Sequence, residues 1–123
     1  MTKTILVADD NPAIRESLCK MFEAEEEYGI CAEASNGEEA ITLAKQCRPD
    51  LVILDLLMPL LNGYDTAHKL KWIMPTVPII LFTLYADTVR NHMMGMNSPV
   101  DLVVAKTEAA NLIGHVRSLI PVA

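Results

Sequence analysis

Five short apolar segments recur along the chain, each about as long as a β-strand. Four of them are almost continuously apolar, which is typical of strands that are covered on both faces in a parallel sheet. The second differs, because Ile30, Ala32 and Ala34 alternate with Cys31 and Glu33. That alternation predicts a strand with one partly wet face, as at the edge of a sheet. The five segments are residues 5–8, 30–34, 51–54, 79–82 and 102–105.

Each apolar segment is followed by positions with helical periodicity. The apolar stripes are Ile14, Leu18, Met21 and Phe22; Ala40, Leu43, Ala44 and Cys47; Ala67, Leu70 and Met74; Val89, Met93 and Met96; and Ala109, Leu112, Ile113 and Val116. Asn11 before Pro12 is a typical helix start, and Asn36 and Asn62 are predicted to cap the second and third helices. Strands that alternate with helices in this way predict an α/β domain with a parallel sheet and right-handed crossovers.

Length and charge narrow the possible classes of protein. The 123 residues are enough for one domain, so residues 1–123 are predicted to form a single unit without a second domain. The net charge of -6 argues against direct binding to nucleic acid or to an anionic membrane. No apolar stretch approaches the roughly 20 residues that span a bilayer. The three cysteines lack metal-type spacing, which favours free thiols in a reducing cytoplasm.

Polar residues that are suited to binding or catalysis follow four of the five segments. Asp9 and Asp10 follow the first, Asp55 the third, Thr83 the fourth and Lys106 the fifth. Ligands of open parallel sheets gather at the carboxyl ends of the strands, so these groups are expected to share one rim. Crowded carboxylates repel one another, and a hard cation such as Mg²⁺ relieves that repulsion. A carboxylate beside the ion can then accept a phosphoryl group whose charge the metal and the lysine balance.

The order of these features resembles the receiver domain of two-component response regulators. The matching pieces are ILVADDNP at 5–12, LVILDLLMPLLNG at 51–63, PIILFT at 78–83 and VVAK at 103–106. The resemblance extends over essentially the whole chain. It implies a flavodoxin-like (βα)5 three-layer sandwich with the parallel strand order 2-1-3-4-5, which places the second strand at an edge.

The resemblance also implies a magnesium-dependent phosphoacceptor site. Asp55 would be the phosphoacceptor and a ligand of Mg²⁺. Asp10 would ligate the ion directly, Asp9 mainly through water, and the backbone carbonyl of Leu57 would be a further ligand. The phosphoryl donor would be a phosphohistidine on a sensor histidine kinase or a histidine phosphotransfer protein of a phosphorelay.

A switch follows from the same resemblance. Thr83 would be the switch hydroxyl and Lys106 the lysine that binds the phosphoryl group. Both would move towards the phosphoryl and bias a partner-binding face made by the last helices and the fifth strand. The protein would be a cytoplasmic signalling module rather than an enzyme, and its downstream protein partner is not named by the sequence.

Several positions depart from the family's usual residues. Thr107 follows the lysine where the family usually has a proline in a cis peptide, and Val103 stands where an aromatic residue is frequent. Leu84 and Tyr85 follow the threonine, where a small residue is usual. Together with Leu57, these bulky groups would shield the phosphoryl and orient few waters, so slow self-dephosphorylation is predicted.

Alternative functions remain open at this point. The departures mildly favour a receiver-shaped scaffold that acts without phosphorylation, although the presence of Asp10, Asp55, Thr83 and Lys106 opposes it. The chain could also be the receiver half of a transcription regulator whose output domain is absent from this sequence. A metal-dependent phosphatase would need a second acid two residues after its nucleophile, and Asn11 and Leu57 occupy those positions.

Overall fold

The computed structural model describes residues 2–95 and 97–122 and contains one parallel sheet between helical layers. Its strands are β1 (Lys3–Ala8), β2 (Tyr28–Ala34), β3 (Leu51–Leu54), β4 (Ile79–Thr83) and β5 (Leu102–Ala105). The strand order is β2-β1-β3-β4-β5, and all pairings are parallel. The flavodoxin-like order is therefore confirmed, with β2 at an edge. β1 and β2 each begin two residues earlier than the apolar pattern predicts, because Lys3 pairs with Tyr28.

Four helices connect the strands, and a fifth follows the last strand. They are α1 (Pro12–Glu23), α2 (Gly37–Cys47), α3 (Gly63–Ile73), α4 (Ala86–His92) and α5 (Leu112–Leu119). The predicted caps are confirmed, since the side-chain oxygens of Asn11, Asn36 and Asn62 accept backbone N–H groups of the first turns of α1, α2 and α3. Each cap satisfies a donor that the helix leaves unpaired, and so fixes where the chain turns after a strand.

Two predicted helical stripes differ from the structure. α4 ends at His92, and the N–H groups of Met93 and Met94 both bond to the Val89 carbonyl, so the chain turns there. Met96, which was assigned to the same stripe, lies outside the described residues. The fifth stripe is split, because Lys106–Asn111 forms a 3₁₀ segment before α5 begins.

The sheet divides the apolar interior into two layers. Leu6 and Ala8 pack with residues of α2, α3 and α4, whereas Ile5 and Val7 pack with residues of α1 and α5. Side chains alternate between the faces of a strand, so a strand covered on both sides must be apolar at every position. This explains the nearly continuous apolar segments of the sequence.

The junction between β3 and α3 is unusually tight. The Gly63 N–H donates to the Leu56 carbonyl at 2.8 Å. A Cβ at position 63 would overlap the backbone carbonyl oxygen of Asp55. Within the same loop, Leu60 has a φ of 70°, a left-handed conformation that costs a residue with a Cβ some energy. The start of α3 is thus pressed against the residue that ends β3.

The carboxyl-terminal part of the chain is held at the amino end of the edge strand. The Tyr28 hydroxyl donates to the Ile120 carbonyl at 3.0 Å, and the Arg117 guanidinium lies 2.9 Å from the Glu25 carboxylate.

Among the described residues, no helix has the length and apolar character needed to cross a membrane.

Candidate functional site

Three carboxylates meet at the carboxyl ends of β1 and β3. One oxygen from each of Asp9, Asp10 and Asp55 lies within 4.8 Å of the others. Asp9 and Asp55 are buried, whereas Asp10 is exposed. The structure therefore brings together the three acidic residues that follow the first and third apolar segments of the sequence. We call these three residues the acidic pocket.

Backbone groups orient the two buried carboxylates. Asp9 Oδ1 accepts the N–H of Asn11 at 2.9 Å, and Asp55 Oδ1 accepts the N–H of Leu56 at 2.9 Å. The Arg15 guanidinium donates to the Asp9 carbonyl at 2.6 Å from the first turns of α1. Arg15 was not among the predicted site residues, although a helix that begins just after the acidic pair brings its early residues near that pair.

Lys106 is the cation of the acidic pocket. Its Nζ lies 2.7 Å from Asp9 Oδ2 and 3.4 Å from Asp55 Oδ2, and its side chain is largely buried. The lysine begins the 3₁₀ segment directly after β5, and its peptide bond to Thr107 is trans. Three carboxylates against one ammonium leave a local excess of negative charge, so the site favours a further cation.

The electrostatics of Asp55 point the same way. Burial raises the pKa of the Asp55 carboxyl above its ordinary value, and the nearby charge of Asp9 raises it further. The ion pair with Lys106 and the Leu56 N–H lower the pKa without cancelling the rise. The ionised form of Asp55 is thus costly in this environment, and a bound cation would favour it.

The donor set of the acidic pocket fits magnesium. Its ligating atoms are carboxylate oxygens, which Mg²⁺ prefers, and the exposed Asp10 leaves room for the waters that the ion retains. Leu57 lies two residues beyond Asp55 with a half-exposed side chain. Its backbone carbonyl as a metal ligand stays a prediction.

Thr83 ends β4 and is fully buried. Its hydroxyl oxygen accepts the backbone N–H of Tyr85 at 3.1 Å, which ties it to the loop that follows β4. In that loop Leu84 is 69% exposed and Tyr85 is 49% exposed. Bulky side chains are therefore present at the carboxyl ends of the strands, as the sequence predicts, and Thr83 is at the predicted strand end.

Comparisons with known proteins agree on one family. The model of the response regulator receiver domain matches residues 5–117. The DNA-binding response regulator MtrA of Mycolicibacterium smegmatis is 36% identical over 120 residues, which are 96% of this chain and 50% of MtrA. The transcriptional regulatory protein LnrK of Bacillus subtilis is 33% identical over 84 residues, which are 68% of this chain and 38% of LnrK.

A solved structure gives the same result. The response regulator TrrA of Thermotoga maritima, crystallised in complex with Mg(2+)-BeF, is 35% identical, and the alignment covers 97% of this chain and 100% of TrrA with a TM-score of 0.86. By contrast, the chain spans half or less of the length of the two curated regulators.

Proposed function

The chain belongs to the response regulator receiver domain family, and on that premise we propose that it is a switch phosphorylated on Asp55. The observation that carries the proposal is the acidic pocket itself, with a buried Asp55 beside two further carboxylates and the Lys106 ammonium. In this proposal, residues 1–123 form one receiver unit that acts in the cytoplasm. The phosphoryl donor is a sensor histidine kinase or a histidine phosphotransfer protein.

The proposed reaction is a single phosphoryl transfer. A carboxylate oxygen of Asp55 attacks the phosphorus of a phosphohistidine; the new O–P bond forms as the N–P bond breaks, and the imidazole leaves. Asp10, Asp55, the Leu57 carbonyl and, through water, Asp9 would hold Mg²⁺, which would supply positive charge to balance the phosphoryl oxygens. The chain acts as the acceptor in this step, so it is not an enzyme with a substrate of its own.

Lys106 and Thr83 respond to the new charge. The phosphoryl group adds a charge of about -1.5 to -2 to the site. The Lys106 Nζ, which lies 2.7 Å from Asp9 Oδ2 in the unphosphorylated protein, moves to a phosphoryl oxygen. The Thr83 hydroxyl turns from the Tyr85 amide to donate to another phosphoryl oxygen. Thr83 ends β4 and Lys106 directly follows β5, the two strands on either side of α4 in the chain, so their movement biases the face made by α4, β5 and α5.

Intact mass spectrometry tests the proposal. After incubation with acetyl phosphate and Mg²⁺, the mass is expected to rise by about 80 Da, one phosphoryl group. Asp55→Asn removes the acceptor and is expected to abolish the increase. Asp87→Asn, at a side chain that is 95% exposed on α4, is the matched control and keeps it. An unmodified wild-type protein would favour the scaffold function, and a labelled Asp55→Asn protein would place the acceptor elsewhere.

Large exposed side chains at the rim of the site predict a long-lived phosphoryl group on Asp55. Leu57 and Leu84 are more than half exposed near the site and offer no polar group that could orient an attacking water. We expect the phosphorylated protein to persist for many minutes after the donor is removed, and Leu57→Asn to shorten its half-life several-fold. The measurement is the decay of the phosphorylated mass.

A matched control for that decay lies in the same loop. Leu60 is 78% exposed, and asparagine tolerates its left-handed backbone, so Leu60→Asn should leave the half-life unchanged. A half-life of seconds in the wild-type protein would show that the rim does not shield the phosphoryl group.

A role in transcription control is a second proposal, favoured by the relatives. MtrA is named a DNA-binding response regulator and LnrK a transcriptional regulatory protein, and this chain aligns with only part of each. DNA contact would then lie outside the receiver unit, in keeping with its net charge of -6. Residues 1–123 are expected to leave duplex DNA unshifted in a gel; a shift by this chain alone would contradict the assignment.

A further inference from the structure

Two cysteines meet where the edge strand contacts a helix. Cys31 belongs to β2 and Cys47 is the last residue of α2, and their sulfur atoms lie 2.8 Å apart. That separation is shorter than an ordinary contact between non-bonded sulfurs and longer than the covalent distance of about 2.05 Å. Both thiols are free in the structure, and both residues are partly exposed.

The backbone around Cys31 is adapted to such a contact. In the pairing of β1 with β2, Ile5 lies opposite Ile30 but Leu6 lies opposite Ala32, so Cys31 is the extra residue of a β-bulge. A bulged residue is released from the regular ladder, and the bulge redirects its side chain. Cys31 is therefore the residue of β2 whose backbone can shift by the small distance that a covalent bond requires.

We propose that Cys31 and Cys47 are a modification site, a dithiol pair that oxidises reversibly to an intramolecular disulfide joining β2 to the end of α2. The proposal is independent of the phosphoacceptor function. Cys19, on α1, is not part of the pair.

The chemistry balances with a small disulfide as the oxidant. The Cys47 thiolate attacks oxidised glutathione and releases one glutathione thiolate. The Cys31 thiolate then attacks the mixed disulfide at Cys47 and releases the second. Two thiols become one disulfide, one molecule of oxidised glutathione becomes two of glutathione, and the two protons pass to the leaving thiolates.

The environment of Cys31 makes the disulfide slow to form, so the pair is not a rapid redox sensor. Burial, and then the hydrogen bond with Cys47, raises the pKa of the Cys31 thiol to about 12. Because thiolates are the attacking species, Cys31 is a poor first nucleophile at neutral pH. The first attack on oxidised glutathione is therefore assigned to Cys47. The pair remains reduced until an oxidant has acted for long enough.

The disulfide would act as a staple at a distance from the acidic pocket. Its two residues are 16 apart in sequence, so the bond closes a loop that contains most of α2. Cross-links of this kind restrict the unfolded chain and raise stability. Cys47 lies shortly before β3 begins, on the side of the sheet opposite to the carboxyl ends.

The test is oxidation of the full chain with oxidised glutathione, followed by intact mass and peptide mapping without reduction. We expect the main product to lose about 2 Da, to carry a peptide pair linked through Cys31 and Cys47, and to keep one thiol that reacts with maleimide after denaturation. Its melting temperature should exceed that of the reduced protein by several degrees, and dithiothreitol should reverse the change.

Three serine variants complete the test. Cys31→Ser and Cys47→Ser should abolish both the mass loss and the thermal shift, and Cys19→Ser should keep both. The wild-type peptide map stands by itself if a variant folds poorly. Three reactive thiols after oxidation, a bond that includes Cys19, or a disulfide formed only between molecules would each overturn the proposal.

Discussion

Gly63→Ala is expected to lower the free energy of unfolding by about 3 kcal/mol, because the added methyl group has no space. Its Cβ would overlap the Asp55 carbonyl oxygen and would lie 2.9 Å from Leu81 Cδ1. A flexible side chain could yield to such a contact, but the Asp55 carbonyl belongs to the backbone at the end of β3. The loss is measured by urea unfolding followed by circular dichroism.

The same substitution should impair the phosphoacceptor site. Relief of the overlap must move either the start of α3 or the residue that carries the carboxylate. Acetyl phosphate should therefore label Gly63→Ala to a much smaller extent than the wild type, even at a temperature where the variant is folded. Unaltered labelling together with unaltered stability would show that the junction is not tight.

Gly114→Ala is the matched control for this prediction. Gly114 lies in α5, and apart from its chain neighbours and the backbone of its own helix, no atom of the described residues lies within 4 Å of the site where its Cβ would be. Alanine favours a helix over glycine by up to about 1 kcal/mol, so Gly114→Ala should keep or raise stability and should label normally. Equal destabilisation by the two substitutions would mean that the loss does not come from the contact with Asp55.

Lys106→Met is expected to cost about 3 kcal/mol of stability when magnesium is removed with a chelator. Methionine keeps the apolar stem but removes the ammonium that lies 2.7 Å from Asp9 Oδ2. Asp9 is only 2% exposed, so it would remain as a buried charge that faces Asp55 without the Lys106 ammonium. Chemical unfolding in the presence of chelator measures the loss.

Magnesium should return much of that stability to Lys106→Met. An ion that binds only the folded state at about 100 times its Kd adds about 2.7 kcal/mol. The increase should be larger in the variant than in the wild type, because no ammonium competes for the carboxylates. Lys69→Met, at an exposed position on α3, should change stability by less than about 0.5 kcal/mol in either condition. The interpretation fails if Lys106→Met matches the wild type in chelator, or if Mg²⁺ stabilises both proteins equally.

Most of the fold could be predicted because its signals are local in the sequence. A strand covered on both faces must be apolar throughout, and the half-covered β2 must alternate, so strand positions and the edge were readable. The strand order came from the family resemblance. The end of α4 and the 3₁₀ segment before α5 were not predicted, because short turns such as those at Met93 and Glu108 depend on contacts that periodicity does not encode.

The candidate site was predictable at the level of which residues meet. Parallel strands deliver the residues that follow them to one rim, which is how Asp9, Asp55 and Lys106 come within contact. The sequence could not show that Arg15 holds the Asp9 carbonyl, since that depends on the path of α1. Nor could it pair Cys31 with Cys47, because their approach depends on a bulge in the register of β2.

The bond between the Tyr28 hydroxyl and the Ile120 carbonyl holds the residues that follow α5 at the amino end of the edge strand. Tyr28 is the first residue of β2, whereas Asp55 follows the carboxyl end of β3. Ile120 and the phosphoacceptor therefore lie towards opposite ends of the sheet, about 20 Å apart along the strand direction, which is the length of a seven-residue strand. A domain fused after this segment would begin at the end of the sheet opposite to Asp55. A conformational change caused by phosphorylation would then have to reach that domain through the receiver itself or through a neighbouring molecule.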